Sequence, residues 1–355
     1  MSDQLTCSLD FTHVSGRRVS VDFIVGAEEA PWPGSPFCDR LLRLAGNGWQ
    51  QPPPVPNQLW QRRLAGPVAK DDWAPYDLID NEVRIGLHLV RAFGHGNYPP
   101  ELSQLYGYEA DTDEPFVLLL PYLGEPVEHA AGRMKLDQER GFEVGFFRAL
   151  RLLDAARVVH GAISPVTVRW DGSSAAVQLV DFSSAALAGE PRPCPGPRPW
   201  AAPAALAAAG SAEPADDVWS AGLLTYHVTT GRPVKTTGQP PDLSVRGGVL
   251  RPLLDGVFAE AAADRPAAVQ LLDRLRAPDP WPAGEITADD RFAQGSRRFD
   301  ELTKRKSPAA RDAGEWRTAP LPIPQASRRS GRFWAVGFAV IVLIAVGGLI
   351  ALGAR

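Results

Sequence analysis

The segment from residue 160 to residue 183 holds the residues most suited to chemistry. It reads HGAISPVTVRWDGSSAAVQLVDFS, and its acidic residue Asp181 directly follows a β-rich run. Residues 166–170 and 176–180 are β-rich and are separated by the turn-forming sequence Asp-Gly-Ser-Ser, which predicts a β-hairpin. An isolated Asp-Phe pair is equally consistent with a solvated carboxylate at a strand end. The loop that precedes this hairpin favours a functional position for Asp181.

This segment resembles the catalytic loop and metal-binding loop of the eukaryotic-type Ser/Thr protein kinase family. Family members carry His-Arg-Asp, an apolar residue, Lys-Pro, any residue and Asn, and then Asp-Phe-Gly after a hairpin. The matching positions here are His160, Gly161 for Arg, Ala162 for the catalytic Asp, Ser164 for Lys, Pro165, Thr167 for Asn, and Asp181-Phe182-Ser183. The resemblance implies that Asp181 would bind a metal ion, and that Asp181 and Thr167 would contact an ATP–Mg cofactor.

Ala162 is the most consequential of these replacements. In the family, the Asp at this position orients the substrate hydroxyl and accepts its proton, and alanine can do neither. Loss of a general base typically removes about 10²- to 10⁴-fold of rate. The resemblance therefore predicts a degenerate, bacterial-type pseudokinase in which no catalytic residue is intact.

Upstream segments extend the resemblance. Residues 116–127 are nearly all apolar up to a Pro and a Gly, which predicts a buried strand followed by the connector between two lobes. Residues 81–93 have helical apolar spacing and resemble the regulatory helix of the small lobe. In the family, Glu82 would pair with the phosphate-binding Lys, although it is equally well explained as a favourable acid in the first turn of a helix.

The phosphate-binding Lys has no clear counterpart. Arg62, in the predicted strand Gln58–Leu64, occupies its position, and Lys70 is the alternative. The planar guanidinium of Arg62 is larger than an ammonium group and directed differently, so the exchange is not conservative; Arg62 can also be interpreted as a solvated basic strand residue. The glycine-rich phosphate loop is absent, and a hairpin around Ser15-Gly16 stands before this strand. The cofactor is thus ATP with Mg²⁺, or none.

Downstream motifs have architectural roles in the family. Residues 199–203 resemble the end of the activation segment, with Ala204 where the family has Glu. Residues 216–222 resemble a buried helix, in which Asp217 would hold the catalytic-loop backbone by hydrogen bonds. Arg265 would have paired with the missing Glu, so it must remain solvated or find another acceptor.

These motifs predict an α+β fold that is bilobal and protein-kinase-like, with a β-rich small lobe, a helical large lobe and one C-terminal transmembrane helix. The predicted kinase-like domain spans residues 58–277, with the small lobe ending near residue 123 and the large lobe at 127–277. Residues 1–57 hold strands and a Pro-rich segment that either complete the small lobe or form an appendage. Within them, the apolar run Phe37–Leu44 predicts a small helix or a partner-binding segment. Residues 278–332 indicate a flexible basic, Pro-rich linker.

Residues 333–354 form an uncharged apolar run. As a helix, a run of this length is roughly 33 Å long and matches the hydrocarbon core of a bilayer. Arg328, Arg329 and Arg332 precede it, so the positive-inside rule places the folded domain in the cytoplasm. The sequence thus predicts a single-pass protein of the cell membrane, anchored in lipid by this helix, with Gly347 and Ala351 available for homodimer packing.

Composition limits the other classes of function. The formal net charge is −4, which argues against a nucleic-acid-binding protein. Three widely spaced cysteines favour neither a disulfide framework nor a metal site.

Two classes of function remain. The first is a pseudokinase scaffold that binds an unidentified cytoplasmic protein at the membrane and is not an enzyme. The alternatives are an atypical Ser/Thr kinase that recruits another base, such as Asp171, and a sensor that binds ATP without transferring phosphate.

Overall fold

The computed structural model describes residues 5–29, 35–46, 54–68, 72–94, 96–282, 286 and 290–306. All of these residues belong to one compact unit, Met1–Leu321, and the second unit, Pro322–Arg355, lies outside the described residues.

Six antiparallel strands from the N-terminal part of the chain form a closed barrel. Their order around the barrel is β1-β2-β3-β4-β6-β5, and pairing of Thr12 and His13 in β1 with Tyr108 and Gly107 in β5 closes it. The strands are β1 (Thr6–His13), β2 (Arg18–Glu29), β3 (Phe37–Leu44), β4 (Gln58–Leu64), β5 (Leu105–Glu109) and β6 (Phe116–Leu119).

Large apolar side chains fill the inside of the barrel. Alternate residues of a strand point to opposite faces, so each strand contributes every second side chain to this core. The cluster consists of Phe11, Val19, Phe23, Leu42, Val55, Leu59, Tyr106, Phe116 and Leu118. The barrel therefore has a core of its own.

Helix α1 (Ala74–Phe93) packs between the barrel and the C-terminal helices. Val83, Leu87 and Val90 join a cluster with the barrel residues Leu105 and Tyr108. Another stripe of α1, formed by Ile85, Leu89 and Phe93, joins the core of the helical part. Because α1 buries residues in both cores, it fixes one relative to the other.

The helical part surrounds two small sheets. One sheet has the order β10-β9-β7 and the other has the order β11-β8. Their elements are β7 (Glu125–Pro126), α2 (Leu136–Ala155), β8 (Val158–Val159), β9 (Val168–Asp171), β10 (Ala176–Leu179), β11 (Ala186–Leu187), α3 (Pro203–Leu206), α4 (Pro214–Thr230) and α5 (Ala268–Arg274). The antiparallel pair β9–β10 confirms the predicted hairpin.

Helix α6 (Ala293–Lys306) lies on α1 and the barrel, within the segment predicted to be a flexible linker. Phe292, Phe299 and Leu302 are buried against the barrel-side residues of α1. Their spacing of seven and three residues places them on one helical face and was the available signal for this helix.

The predicted fold class is wrong. In place of a bilobal protein-kinase-like fold, the N-terminal strands close on themselves into a six-stranded antiparallel barrel. Closure depends on pairing between β1 and β5, which are far apart in the sequence, and local periodicity carries no information on such a pairing.

The membrane part of that prediction stays a prediction. Among the residues that the structure describes, no helix is long and apolar enough to cross a membrane. The predicted transmembrane run at 333–354 lies outside the described residues.

The small helix predicted at Phe37–Leu44 is also wrong, while the alternative of a partner-binding segment stays a prediction. This run is strand β3, which pairs with β2 on one side and β4 on the other. A short apolar run does not by itself distinguish a strand from a helix. Here the two neighbouring strands satisfy the backbone hydrogen bonds of the run, and this decides for a strand.

The contact between α6 and the β1–β2 turn predicts a specific packing defect. A Cβ atom at Gly295 would lie 1.9 Å from the carbonyl oxygen of Val14, so Gly295→Ala must displace α6 from the barrel. We expect a loss of about 1–3 kcal/mol in the free energy of unfolding, measured by chemical denaturation. Gly66→Ala is the matched control, because no atom lies within 4 Å of its added Cβ. Equal stability of the two variants would contradict the observed packing.

Candidate functional site

Arg62 stands at the centre of the candidate site and is fully buried. Its Nε and Nη2 atoms each donate a hydrogen bond of 2.9 Å to the carboxylate of Asp39. Its Nη1 atom lies 3.0 Å from Oδ1 of Asp181 and 3.5 Å from Oε2 of Glu82. The structure thus brings together three of the predicted site residues, Arg62, Glu82 and Asp181, and adds Asp39. We call these four residues the Arg62 cluster.

Four separate elements supply the cluster. Asp39 in β3 lies directly across the sheet from Arg62 in β4, so strand register fixes this pair. Glu82 projects from α1 and is 2% exposed. Asp181 follows β10 with φ of 69° and ψ of 76°, and its carboxylate accepts a hydrogen bond of 2.6 Å from the Ser183 hydroxyl.

The cluster contains more carboxylates than cations. Burial raises the pKa of Glu82 to about 8, and the charges of Asp181 and Asp39 act in the same direction, against the opposing effect of Arg62. Burial by itself disfavours the charged form of Arg62. The charges of neighbouring groups, with Asp39 the strongest, outweigh burial and raise the pKa of Arg62 well above its ordinary value. Arg62 therefore stays charged, and Glu82 holds a proton at neutral pH.

Tyr122 covers one side of the cluster. Its hydroxyl donates a hydrogen bond of 3.2 Å to Oδ2 of Asp39 and lies 3.4 Å from Nη2 of Arg62. Its ring stacks on Trp60 with centroids 5.7 Å apart, and the guanidinium of Arg169 lies 5.0 Å from the ring centre. The Tyr122 ring, contacted by Trp60 and Arg169, thus covers the Arg62 cluster next to the connector that follows β6.

The connector after β6 has its backbone groups bonded to side chains of the β9–β10 hairpin. The Leu123 N–H donates to Oε1 of Gln178 at 3.0 Å. Arg169 donates to the carbonyl oxygens of Leu123 at 3.2 Å and Gly124 at 2.9 Å. Gln178 and Arg169 lie in strands that the sequence predicted, but the strand pattern does not predict that they bond to the connector.

Asp217 holds the loop that carries Ala162. Its carboxylate accepts hydrogen bonds from the backbone N–H groups of His160 at 2.6 Å and Gly161 at 2.9 Å, which confirms the predicted role. Burial raises the pKa of Asp217 to about 7 even though these bonds favour the ionised form. Burial also lowers the pKa of the His160 ring, whose Nε2 lies 3.1 Å from the Val180 carbonyl oxygen.

Thr167 forms hydrogen bonds within the loop that contains it. Its hydroxyl donates to the Ala162 carbonyl oxygen at 2.9 Å and accepts from the Ser164 N–H at 3.0 Å. The hydrogen bonds found for Thr167 link it to this loop and not to the Arg62 cluster. It is the one predicted binding residue that the structure does not bring to the site.

Arg265 donates hydrogen bonds to acceptors other than the Glu that the resemblance would place at position 204. It donates to the carbonyl oxygens of Ala259, Ala215 and Glu260 at 3.0–3.3 Å. Its guanidinium also lies 5.0 Å from the centre of the Trp219 ring. Backbone carbonyl groups and an aromatic face therefore stand where the resemblance would place a carboxylate.

Two side chains of α1 connect the helix to the loop after Asp181. The Asn81 amide donates to the carbonyl oxygens of Ser183 at 2.7 Å and Ala185 at 2.8 Å. Arg84 forms two hydrogen bonds of 3.0 Å with the carboxylate of Glu190. These bonds hold Glu82 and Asp181 at a fixed separation.

The residues present do not fit an ATP–Mg cofactor. Asp181, which the resemblance would assign to the metal ion, is ion-paired with Arg62 and accepts a hydrogen bond from the Ser183 hydroxyl. Among the described residues, no group of three or more His, Cys, Asp or Glu side chains could hold a metal ion by itself. The β1–β2 turn, which precedes the position of Arg62, places Gly16 against Gln294 and Gly295 of α6. The alternative phosphate-binding residue, Lys70, lies outside the described residues.

Sequence reasoning missed Asp39, Tyr122 and Arg169. The signal for Asp39 was the single acidic residue of the strand Phe37–Leu44. A buried Asp requires a partner, and the strand register supplies Arg62. Tyr122 and Arg169 carry no comparable signal.

Comparison with known proteins assigns no relative: no family model matches the chain, and no curated protein matches it.

Adjacent arginines in β4 test the importance of the cluster. We expect Arg62→Ala to lower the free energy of unfolding by about 3–5 kcal/mol, because it leaves buried carboxylates without a cation. Arg63→Ala is the control, since Arg63 pairs at 2.7 Å with Glu28 at the surface, where such pairs contribute about 0–1 kcal/mol. Denaturant titration compares the two variants. A loss for Arg62→Ala no larger than that for Arg63→Ala would show that the cluster is not a stabilising element.

The raised pKa of Glu82 gives the sign of a pH dependence. In the folded state this pKa is about 8, so the proton is kept up to that pH, whereas in the unfolded chain the pKa returns to its ordinary value of 4.5. Folding stability should therefore fall as the pH rises from 5 to 8, by up to about 1.4 kcal/mol per pH unit from this group.

We expect Glu82→Gln to flatten this slope, because glutamine cannot ionise. Exposed Glu114 provides the control Glu114→Gln, which should keep the wild-type slope. Unfolding free energies measured across this pH range decide the matter, and an unchanged slope in Glu82→Gln would refute the assignment.

Proposed function

We propose that this protein is a non-catalytic binding protein, a pseudokinase in function, that holds a cytoplasmic protein partner at the membrane. The observation that carries this proposal is the enclosure of Arg62 by Asp39, Glu82 and Asp181, within 2.9–3.5 Å. Three of the residues that the kinase resemblance would assign to nucleotide and metal, Arg62, Glu82 and Asp181, are paired with one another.

Phosphate binding at Arg62 would be costly. To reach a phosphate, Arg62 would have to leave Asp39, which is 5% exposed and would remain as a buried, uncompensated charge. Breaking a buried ion pair typically costs about 3–5 kcal/mol. The remaining carboxylates would also repel the phosphate.

Binding of a purine at the connector is disfavoured as well. A flat heterocycle recognised there would need backbone donors and acceptors. The Leu123 N–H and the carbonyl oxygens of Leu123 and Gly124 already bond to Gln178 and Arg169. Displacing these side chains would leave buried polar groups without partners unless the ligand replaced every bond.

Phosphate transfer would also lack a base. Ala162 has no ionisable side chain, and the alternative base, Asp171, lies in the exposed hairpin turn. Hydrogen bonds from Ser174 and Ser173 lower the pKa of Asp171 to about 2. A carboxylate with so low a pKa is a poor proton acceptor at neutral pH.

Placement at the membrane rests on sequence alone. The apolar run at 333–354 has the length of a membrane-spanning helix, and arginines precede it. A scaffold anchored in this way would hold its partner at the cytoplasmic surface.

Titration of the full chain with ATP tests the proposal. We expect no change in melting temperature at saturating ATP, with or without Mg²⁺ or Mn²⁺, because a ligand that binds the native state must raise it. A metal-dependent rise would overturn the proposal and favour an ATP sensor or an atypical kinase. The variant Asp181→Asn then serves as the control, since a rise that depends on Asp181 places the nucleotide at the Arg62 cluster.

A further inference from the structure

The turn between β1 and β2 packs tightly on α6. A Cβ atom at Gly16 would lie 3.1 Å from Cγ of Gln294, and one at Gly295 would overlap the Val14 carbonyl oxygen. Arg298 donates a hydrogen bond of 3.2 Å to the carbonyl oxygen of Gly16. The backbones of two segments far apart in the sequence thus pack closely, and one side-chain hydrogen bond links them.

This junction gathers basic side chains. Arg17 and Arg18 follow Gly16 in the turn, and Arg297 and Arg298 lie on α6; all four are exposed. We call them the arginine face. The acidic groups near it are Glu109, which pairs with Arg18, and exposed Asp300 and Glu301 on α6, so four arginines face three carboxylates. The face therefore keeps an excess of positive charge, although the whole chain has a formal net charge of −4.

The sequence extends this basic region toward the predicted membrane anchor. Helix α6 ends at Lys306, and its last three residues are Lys304, Arg305 and Lys306. Residues 307–332 then lead to the apolar run that begins at Phe333. Two arginines of the face, Arg297 and Arg298, thus lie on the last described helix before the predicted anchor segment.

We propose that the arginine face binds an anionic lipid surface, and so orients the barrel on the membrane. This proposal rests on the membrane placement proposed above. A connection of the length of residues 307–332 can span at most roughly 90 Å, so an anchor alone does not bring the domain to the bilayer. Attraction between basic side chains and anionic headgroups supplies that contact, and it acts within a Debye length of the surface.

Hydrogen exchange of the full chain in lipid nanodiscs tests the proposal. The discs contain phosphatidylcholine alone or a mixture of phosphatidylcholine and phosphatidylserine. We expect exchange at the β1–β2 turn and in α6 to be several-fold slower in the mixed discs, and high salt to remove the difference.

Matched variants locate the effect. Arg17→Gln with Arg297→Gln removes two charges of the face and spares Arg18 and Arg298, which bond to Glu109 and Gly16. This double variant should lose the added protection. Arg133→Gln with Arg251→Gln removes two exposed charges of the helical part and should keep it.

Equal exchange in the two kinds of disc would overturn the proposal, and this is the result expected if the true occupant is an acidic protein or a nucleic acid. Full protection in the variant Arg17→Gln with Arg297→Gln would overturn it as well. Failure of the membrane placement is a separate outcome, because the chain would then not enter discs of phosphatidylcholine alone. In that case, co-sedimentation with mixed vesicles still tests the face, and absence of binding overturns it.

Discussion

The buried guanidinium of Arg62 is the constraint on which the arrangement of the protein depends. A charge removed from water must be compensated at close range, and the carboxylates of Asp39 and Asp181 do so at 2.9 and 3.0 Å, with Glu82 at 3.5 Å completing the enclosure. These acids come from strand β3, the loop after β10 and helix α1. One side chain of the barrel therefore fixes the positions of a second strand, a helix and a loop of the helical part.

Helix α1 transmits this constraint because it belongs to both cores. Its residues Val83 and Leu87 pack toward the barrel, while Ile85 and Leu89 pack toward the helical part. Asn81 adds hydrogen bonds to the loop after Asp181. A change at the Arg62 cluster would thus disturb packing on both sides of α1. Residues that resemble catalytic positions serve here as ties between structural elements.

Prediction from sequence was successful where the signal was local. The β9–β10 hairpin follows from two β-rich runs around a turn-forming sequence, whereas the strand Gln58–Leu64 and the bonds of Asp217 to the 160–161 backbone were expected from the kinase resemblance. Closure of the barrel by β1 and β5 was not predicted, because it depends on long-range strand pairing. Helix α6 was missed because its polar composition outweighed three regularly spaced apolar residues.

The sequence by itself determined that position 162 is an alanine, which cannot act as a base in any fold, and that no Gly-x-Gly-x-x-Gly segment is present. Tertiary structure alone decided what the remaining charged residues do. Arg62 is bound by Asp39 because strand register places them opposite each other, and Arg298 reaches the Gly16 carbonyl oxygen because two glycines permit close packing. The physical reason is that a buried charge is defined by its neighbours in space, which local periodicity does not specify.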